Sequence, residues 1–207
     1  MVVRGFYAVL DRDDERLARA LLSVAAVLQV RIKPGDAVDI LRVTRMARRL
    51  CDEVGAALVV NDRVDIALAA GADAVHLGQT DLPIAAARQI AGDRLRIGVS
   101  THDVEQVRAA CGAGADYLGF GPVFATRTKV NPDPVRGVDG LRAAVAAAGG
   151  ATGVPVVAIG GIAPADAVAV YATGAAAICA ISSVNGTPDP AAAARCFRYL
   201  RGSAQIE

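Results

Sequence analysis

The residues of this chain best able to do chemistry fall into six short polar clusters between residues 29 and 183. Gln29, Arg31 and Lys33 come first, then Asn61-Asp62, Gln79-Thr80-Asp81 and Ser100-Thr101-His102. Thr126-Arg127-Thr128-Lys129 follows, and Gly160-Gly161 with Ser182-Ser183 closes the set. Cations, paired carboxylates and glycine- or serine-rich turns together suit a phosphate or diphosphate ligand with a divalent metal. Mg²⁺ is commonly held by one or two carboxylates plus phosphate oxygens and water, which makes Asp62 and Asp81 candidate ligands. Glycine lets a phosphate approach the backbone closely, so Gly160-Gly161 and Ser182-Ser183 are candidate phosphate-binding turns. Two hydroxyls and two cations at 126–129, flanked by glycine and proline, suit a lid that closes on an anion.

Each cluster sits at or just past a short apolar run, and most precede a helix-like stretch. Strands are predicted over 5–10, 27–32, 57–61, 74–77, 96–100, 117–120, 155–159 and 176–181. Helices are predicted over 13–25, 36–54, 63–70, 82–91, 102–112, 139–147, 163–173 and 189–201. Asp36, Pro83 and Pro164 are start signals, and Gly55, Gly71, Gly92, Gly112 and Gly174 are stop signals. Strict alternation of eight and eight predicts an α/β protein, a closed (β/α)8 TIM barrel spanning residues 1–207 as a single domain. An open doubly wound sheet would show GxGxxG after its first strand, and none follows residue 10. In a parallel barrel the carboxyl ends of all strands meet on one face, so the clusters would share one pocket. Period-two alternation puts Gln29, Arg31 and Lys33 on one side of their strand and Ile32 on the other. The segment 121–138 reads as one long loop of functional character.

Composition narrows the partners. The 207 residues carry a net charge of +1, so no global field marks a nucleic-acid ligand, and anions must be drawn by local cations. No apolar run reaches membrane-spanning length, and no signal pattern is present. The four cysteines form no CxxC pair and no zinc spacing, which points to a reducing, cytoplasmic setting. Small phosphorylated molecules are the expected partners, without nucleic acid or membrane; assembly into a homo-oligomer is left open.

Every cluster also has a purely structural reading. Asn61, Asp62, Asp81 and Ser100 could each cap the helix that follows, and Arg31 and Lys33 could simply reach water. Taken singly, a cap is the better reading of the carboxylates; taken as a pair on neighbouring strands, they favour metal. His102 reads as a surface residue of the fifth helix and His76 as a packed strand residue, neither being the principal base.

Taken together, the chain resembles the thiamine-phosphate synthase family from Tyr7 to about Val184. The resemblance is carried by Gln29-x-Arg31-x-Lys33, Asn61-Asp62-Arg63-x-Asp65-x-Ala67, His76-Leu77-Gly78-Gln79-x-Asp81 and Gly98-Val99-Ser100-Thr101-His102. It continues through Ala115-Asp116-Tyr117-x-Gly119-x-Gly121-Pro122, Thr126-x-Thr128-Lys129, Ala158-Ile159-Gly160-Gly161-Ile162 and Ile181-Ser182. The resemblance implies a transferase joining hydroxymethylpyrimidine diphosphate to thiazole phosphate with release of diphosphate. It implies Mg²⁺ on Asp62 and Asp81, and diphosphate held by Arg31, Lys33, Asn61, Ser100 and Lys129. Of these, Arg31, Ser100 and Lys129 carry the catalytic role. Gln29 matches a pyrimidine contact, Thr126 and Thr128 match loop residues near the thiazole, Gly161 and Ser182 match the grip on thiazole phosphate, and Ile181 matches a substrate-binding position. Ile32 stands where the family usually has an acidic residue. Two alternatives remain at this stage: a thiazole tautomerase-like isomerase using a histidine base, and a non-catalytic phosphate-binding barrel.

Overall fold

A computed structural model describes residues 2–126, 134–150 and 153–198. Its centre is a closed barrel of eight parallel strands in sequential order. They are β1 (Gly5–Leu10), β2 (Val27–Val30), β3 (Ala57–Asn61), β4 (Ala74–Leu77), β5 (Arg96–Thr101), β6 (Tyr117–Phe120), β7 (Val156–Ile159) and β8 (Ala177–Cys179). Closure is direct, with Gly5 of β1 opposite Ala177 of β8. The α/β barrel expected from the alternation is therefore the architecture observed.

Helices α1 (Glu15–Leu22), α2 (Ala37–Val54), α3 (Val64–Ala69), α4 (Ile84–Ala91), α5 (Val104–Gly112), α6 (Gly137–Ala147) and α7 (Ala167–Tyr171) cover the barrel. A short α8 (Ser182–Asn185) and α9 (Pro190–Arg195) follow β8. Side chains alternate along each strand, which splits the core in two. Phe6, Ala8 and Leu10 point outward into the large shell between strands and helices, whereas Tyr7 and Val9 point inward. The inner cluster is small and includes Val27, Val59, Ala74, Val157, Ala177 and Cys179.

Several predicted boundaries move for local reasons. Ladder pairing of β2 ends at Val30, four residues before Pro34, although the Arg31 N–H still donates to the Leu10 carbonyl at 2.9 Å. β8 ends at Cys179, and Ile181 becomes the cap of α8, a helix the periodicity did not separate from the strand. Asp36 caps α2 as expected, its carboxylate accepting from the Asp39 N–H at 2.9 Å. α5 ends at Gly112 as expected, and the left-handed turn after it falls on Gly114 at φ 85°.

Candidate functional site

The loops after the strands open onto one cavity of about 890 Å³ at the carboxyl end of the barrel. Gln29, Arg31, Lys33, Asn61, Asp62, Asp81, Ser100, Thr126, Gly161, Ile181 and Ser182 all line it. Clusters far apart in sequence are thus brought together as the barrel topology requires. Arg127, Thr128 and Lys129 lie outside the described residues.

The cap position of α3 is Arg63 and that of α4 is Pro83, neither with a side-chain cap bond. Asp103 caps α5, accepting from the Gln106 N–H at 2.8 Å. Asp62, Asp81 and Ser100 are therefore not the caps of these helices. Asp81 instead turns back to accept the Gly78 N–H at 2.7 Å. Asp62 adopts φ 62°, the one non-glycine residue with positive φ among the described residues. Such backbone is uncommon, Asp being among the residues that tolerate it, and tends to collect at working sites.

The two carboxylates meet. Burial pushes the Asp62 carboxyl up, and Asp81 within hydrogen-bond reach pushes the same way; Lys33 opposes them without cancelling the rise. Lys33 Nζ stands 2.5 Å from Asp62 Oδ2. An acidic pair that draws in an ammonium group is chemically suited to a divalent cation. Among the described residues no group of three or more His, Cys, Asp or Glu forms a metal cluster. A cation here would therefore depend on ligand oxygens and water to complete its shell, as Mg²⁺ commonly does. Arg31 also reaches the cavity although the ladder has ended, because alternation persists and Ile32 packs against the outer core. The hydrophobic residue at position 32 thus leaves both cations on the cavity side.

On the opposite rim, Gly160 and Gly161 form the turn after β7 at φ 101° and 63°. A Cβ on Gly161 would lie 2.2 Å from the Ala125 carbonyl oxygen. The turn is therefore locked against the loop that leads to Thr126. Ser183 donates to the Ile162 carbonyl at 3.1 Å and ties this turn to α8.

With these features combined, the chain's relatives become decisive: the family model described as thiamine monophosphate synthase matches residues 6–184. The chain belongs to that family. A thiamine-phosphate synthase from Anaeromyxobacter dehalogenans is 46% identical over 193 residues, covering 92% of this chain and 84% of that protein. One from Laribacter hongkongensis is 44% identical over 183 residues, covering 88% and 84%. Among solved structures, the thiamine phosphate pyrophosphorylase of Pyrococcus furiosus superposes with a TM-score of 0.84 at 37% identity, over 93% of each chain.

Sequence reasoning missed part of this thiamine monophosphate synthase family site. His102 is not a surface residue of α5; it precedes the helix, is half-buried, lines the cavity and bonds through Nδ1 to the Gly121 carbonyl. Tyr7, Tyr117 and Cys179 also face the cavity from the inner core. Their signal was strand parity: each sits at an inward position, as Gln29, Asn61 and Ser100 do. Burial raises both tyrosines and pushes the Cys179 thiol up to about 12, so all three are protonated at neutral pH. His76 is a packed strand residue, as expected, with part of its ring on the cavity. Burial lowers it to about 4, leaving a neutral imidazole whose two nitrogens bond Tyr117 and Ser100. Among the described residues no helix is long and apolar enough to cross a membrane.

Proposed function

We infer that this protein is a thiamine-phosphate synthase, a transferase that joins hydroxymethylpyrimidine diphosphate to thiazole phosphate and releases diphosphate. The observation that carries the site assignment is the meeting of the Asp62–Asp81 pair with Arg31 and Lys33 at one end of a cavity whose other rim carries Gly161 and Ser182. Two anionic groups on one substrate pair need two separated grips, which these two clusters would supply.

In the reaction, the bond between the pyrimidine methylene carbon and the diphosphate oxygen breaks, and the oxygen leaves with the electron pair. The thiazole nitrogen lone pair forms the new C–N bond. Arg31 and Lys33 are proposed to stabilise the charge that develops on the departing oxygen, with Asn61 and Ser100 fixing its orientation. Lys129 has the same role by family resemblance. Gln29 would hold the pyrimidine, Thr126 and Thr128 the thiazole, and Gly161, Ile181 and Ser182 its phosphate. Asp62 and Asp81 fit Mg²⁺, which would supply further neutralisation of diphosphate charge. No side-chain nucleophile is needed, because positioning and charge stabilisation account for the chemistry.

The test is a coupling assay with both phosphorylated substrates, with and without Mg²⁺. Thiamine phosphate and diphosphate are expected in equal amounts, and only with the metal. Isomerisation of a thiazole phosphate without coupling would replace this reading with the tautomerase alternative. Turnover undiminished by chelator would remove the metal assignment.

A further inference from the structure

Six inward-facing polar side chains, one from each of β1 to β6, form a single hydrogen-bonded line across the barrel along the wall of the cavity. Gln29 Nε2 donates to Asn61 Oδ1 at 3.0 Å, and Tyr7 donates to Gln29 Oε1 at 2.7 Å. The Tyr7 and Tyr117 hydroxyls lie 3.0 Å apart. Tyr117 is 3.1 Å from His76 Nδ1, and His76 Nε2 is 2.9 Å from Ser100 Oγ.

This line is built, not incidental. A Cβ on Gly98 would fall 2.0 Å from Tyr117 Cζ, and one on Gly119 would fall 3.2 Å from His76 Cε1. Two glycines at inward strand positions make room for the two rings at its centre. Barrel interiors are usually filled with branched aliphatic side chains, so a polar layer on six strands calls for a role.

Counting protons gives the line a direction. A tyrosine hydroxyl has one proton to donate, and a neutral imidazole has one N–H. With the Gln29 amide oriented so that Oε1 faces Tyr7 and Nε2 faces Asn61, Tyr7 gives its proton to Gln29 and accepts from Tyr117. Tyr117 has then used its own proton, so His76 must donate to it from Nδ1. Nε2 is left as an acceptor, and Ser100 gives its hydroxyl proton to it.

We propose that Tyr7 and Tyr117 are positioning residues that hold His76 as its Nδ1–H tautomer and so commit the Ser100 proton inward, leaving Ser100 Oγ facing the cavity as a hydrogen-bond acceptor. An anion that needs a donor from Ser100 must reverse the line. His76 becomes Nε2–H, the hydroxyls turn, and the Gln29 and Asn61 amides flip. Occupancy at Ser100 is thereby coupled to the orientation of Gln29 on the far side of the cavity. This coupling rests on the assignment of diphosphate to Ser100 and of the pyrimidine to Gln29; the ligand-free tautomer does not.

The test is ¹⁵N NMR of histidine-labelled protein. The chain has two histidines, and His76→Asn assigns the signals. Ligand-free wild type is expected to show His76 protonated at Nδ1 and bare at Nε2. Tyr7→Phe removes the acceptor for Tyr117, whose proton then turns to Nδ1, and His76 is expected to switch to Nε2–H. A merely structural tyrosine would not set a tautomer two residues away along the line. An Nε2–H signal in ligand-free wild type overturns the proposal, as does an unchanged tautomer in folded Tyr7→Phe. If that variant does not fold, Tyr117→Phe carries the same expectation. Inorganic diphosphate with Mg²⁺ is then titrated in, and His76 is expected to switch to Nε2–H as it binds. Binding without the switch overturns the coupling. Absence of binding overturns the diphosphate assignment, and the ligand-free tautomers alone then decide the relay.

Discussion

Asp62 joins two facts that are usually separate: a carboxyl raised by burial and by Asp81, and a backbone held at φ 62°. Its replacement must therefore be chosen with care. Alanine would remove the charge and strain the turn, whereas asparagine tolerates the left-handed region and keeps the size. Asp62→Asn is expected to keep the fold and lose the metal, as is Asp81→Asn. Each should lower kcat by about 10²–10³-fold if the ion stabilises departing charge on the scale of an oxyanion donor. Manganese binding followed by electron paramagnetic resonance, with diphosphate present, checks the cause. Wild-type metal affinity in both variants would sink the assignment.

His76 leads to a pH prediction at the same scale. Burial lowers it to about 4, while an unfolded histidine titrates near 6.5. Between these values the unfolded chain binds the extra proton and the folded chain does not. The contribution is complete above pH 6.5 and is lost progressively as pH falls toward 4. By pH 5 the loss should reach about 2 kcal/mol. Urea unfolding at pH 7.5 and pH 5 should show this drop in wild type and not in His76→Asn. An equal drop in both would place the acid sensitivity elsewhere.

At the scale of elements, the site depends on loops that lean on each other. Gly161 is held by the loop after β6, with the Ala125 carbonyl oxygen 2.2 Å from where its Cβ would be. Gly161→Ala adds both a clash and a positive-φ penalty, and its destabilisation should be about 1–3 kcal/mol. The displaced loop leads to Thr126, so thiazole phosphate KM should rise more than stability alone explains; calorimetry beside steady-state kinetics measures both. An unchanged KM would mean that the turn is only structural.

The same scale shows how far the sequence could be read. Eight strands were legible because buried parallel strands make short apolar runs, and all eight lie where the runs predicted. Arg31 and Lys33 were legible as a cavity pair because alternation survives the end of the β2 ladder. Helix caps were less legible: Asp, Ser and Asn before a helix read alike whether they cap it or face a cavity. Only the observed caps at Arg63, Pro83 and Asp103 separate the cases. Tyr7 and Tyr117 were hidden because a tyrosine in an apolar strand reads as core. Their role appears only once register across the barrel brings their hydroxyls together.

For the whole molecule, the two ends of the barrel divide the labour. Opposite the cavity, Gly71-Ala72-Asp73 and Gly114-Ala115-Asp116 repeat one device at the start of β4 and β6. Asp73 accepts from the Leu58 N–H and from Arg48, each at 2.7 Å. Asp116 accepts from the Ile97 N–H, Arg88 and Arg96 at 2.8–2.9 Å. Each carboxylate thus ties its own strand to the strand before it and to a helix. Burial alone would raise the Asp116 carboxyl, but these donors outweigh it and hold it below the usual carboxylate range. Its contribution is therefore present at neutral pH and fades only as acid protonates it. Asp116→Ala leaves the Ile97 N–H and two guanidinium groups without their acceptor, which should cost about 1–3 kcal/mol. For a chain of this size that is a fall in Tm of roughly 2–4 °C per kcal/mol. Conserved working parts of a barrel sit at the carboxyl face and stabilising parts at the other, so kcat should stay within about twofold of wild type below the new Tm. Calorimetry with initial rates at low temperature tests the division. A variant that keeps its Tm but loses turnover would show that the two ends of this barrel are not independent.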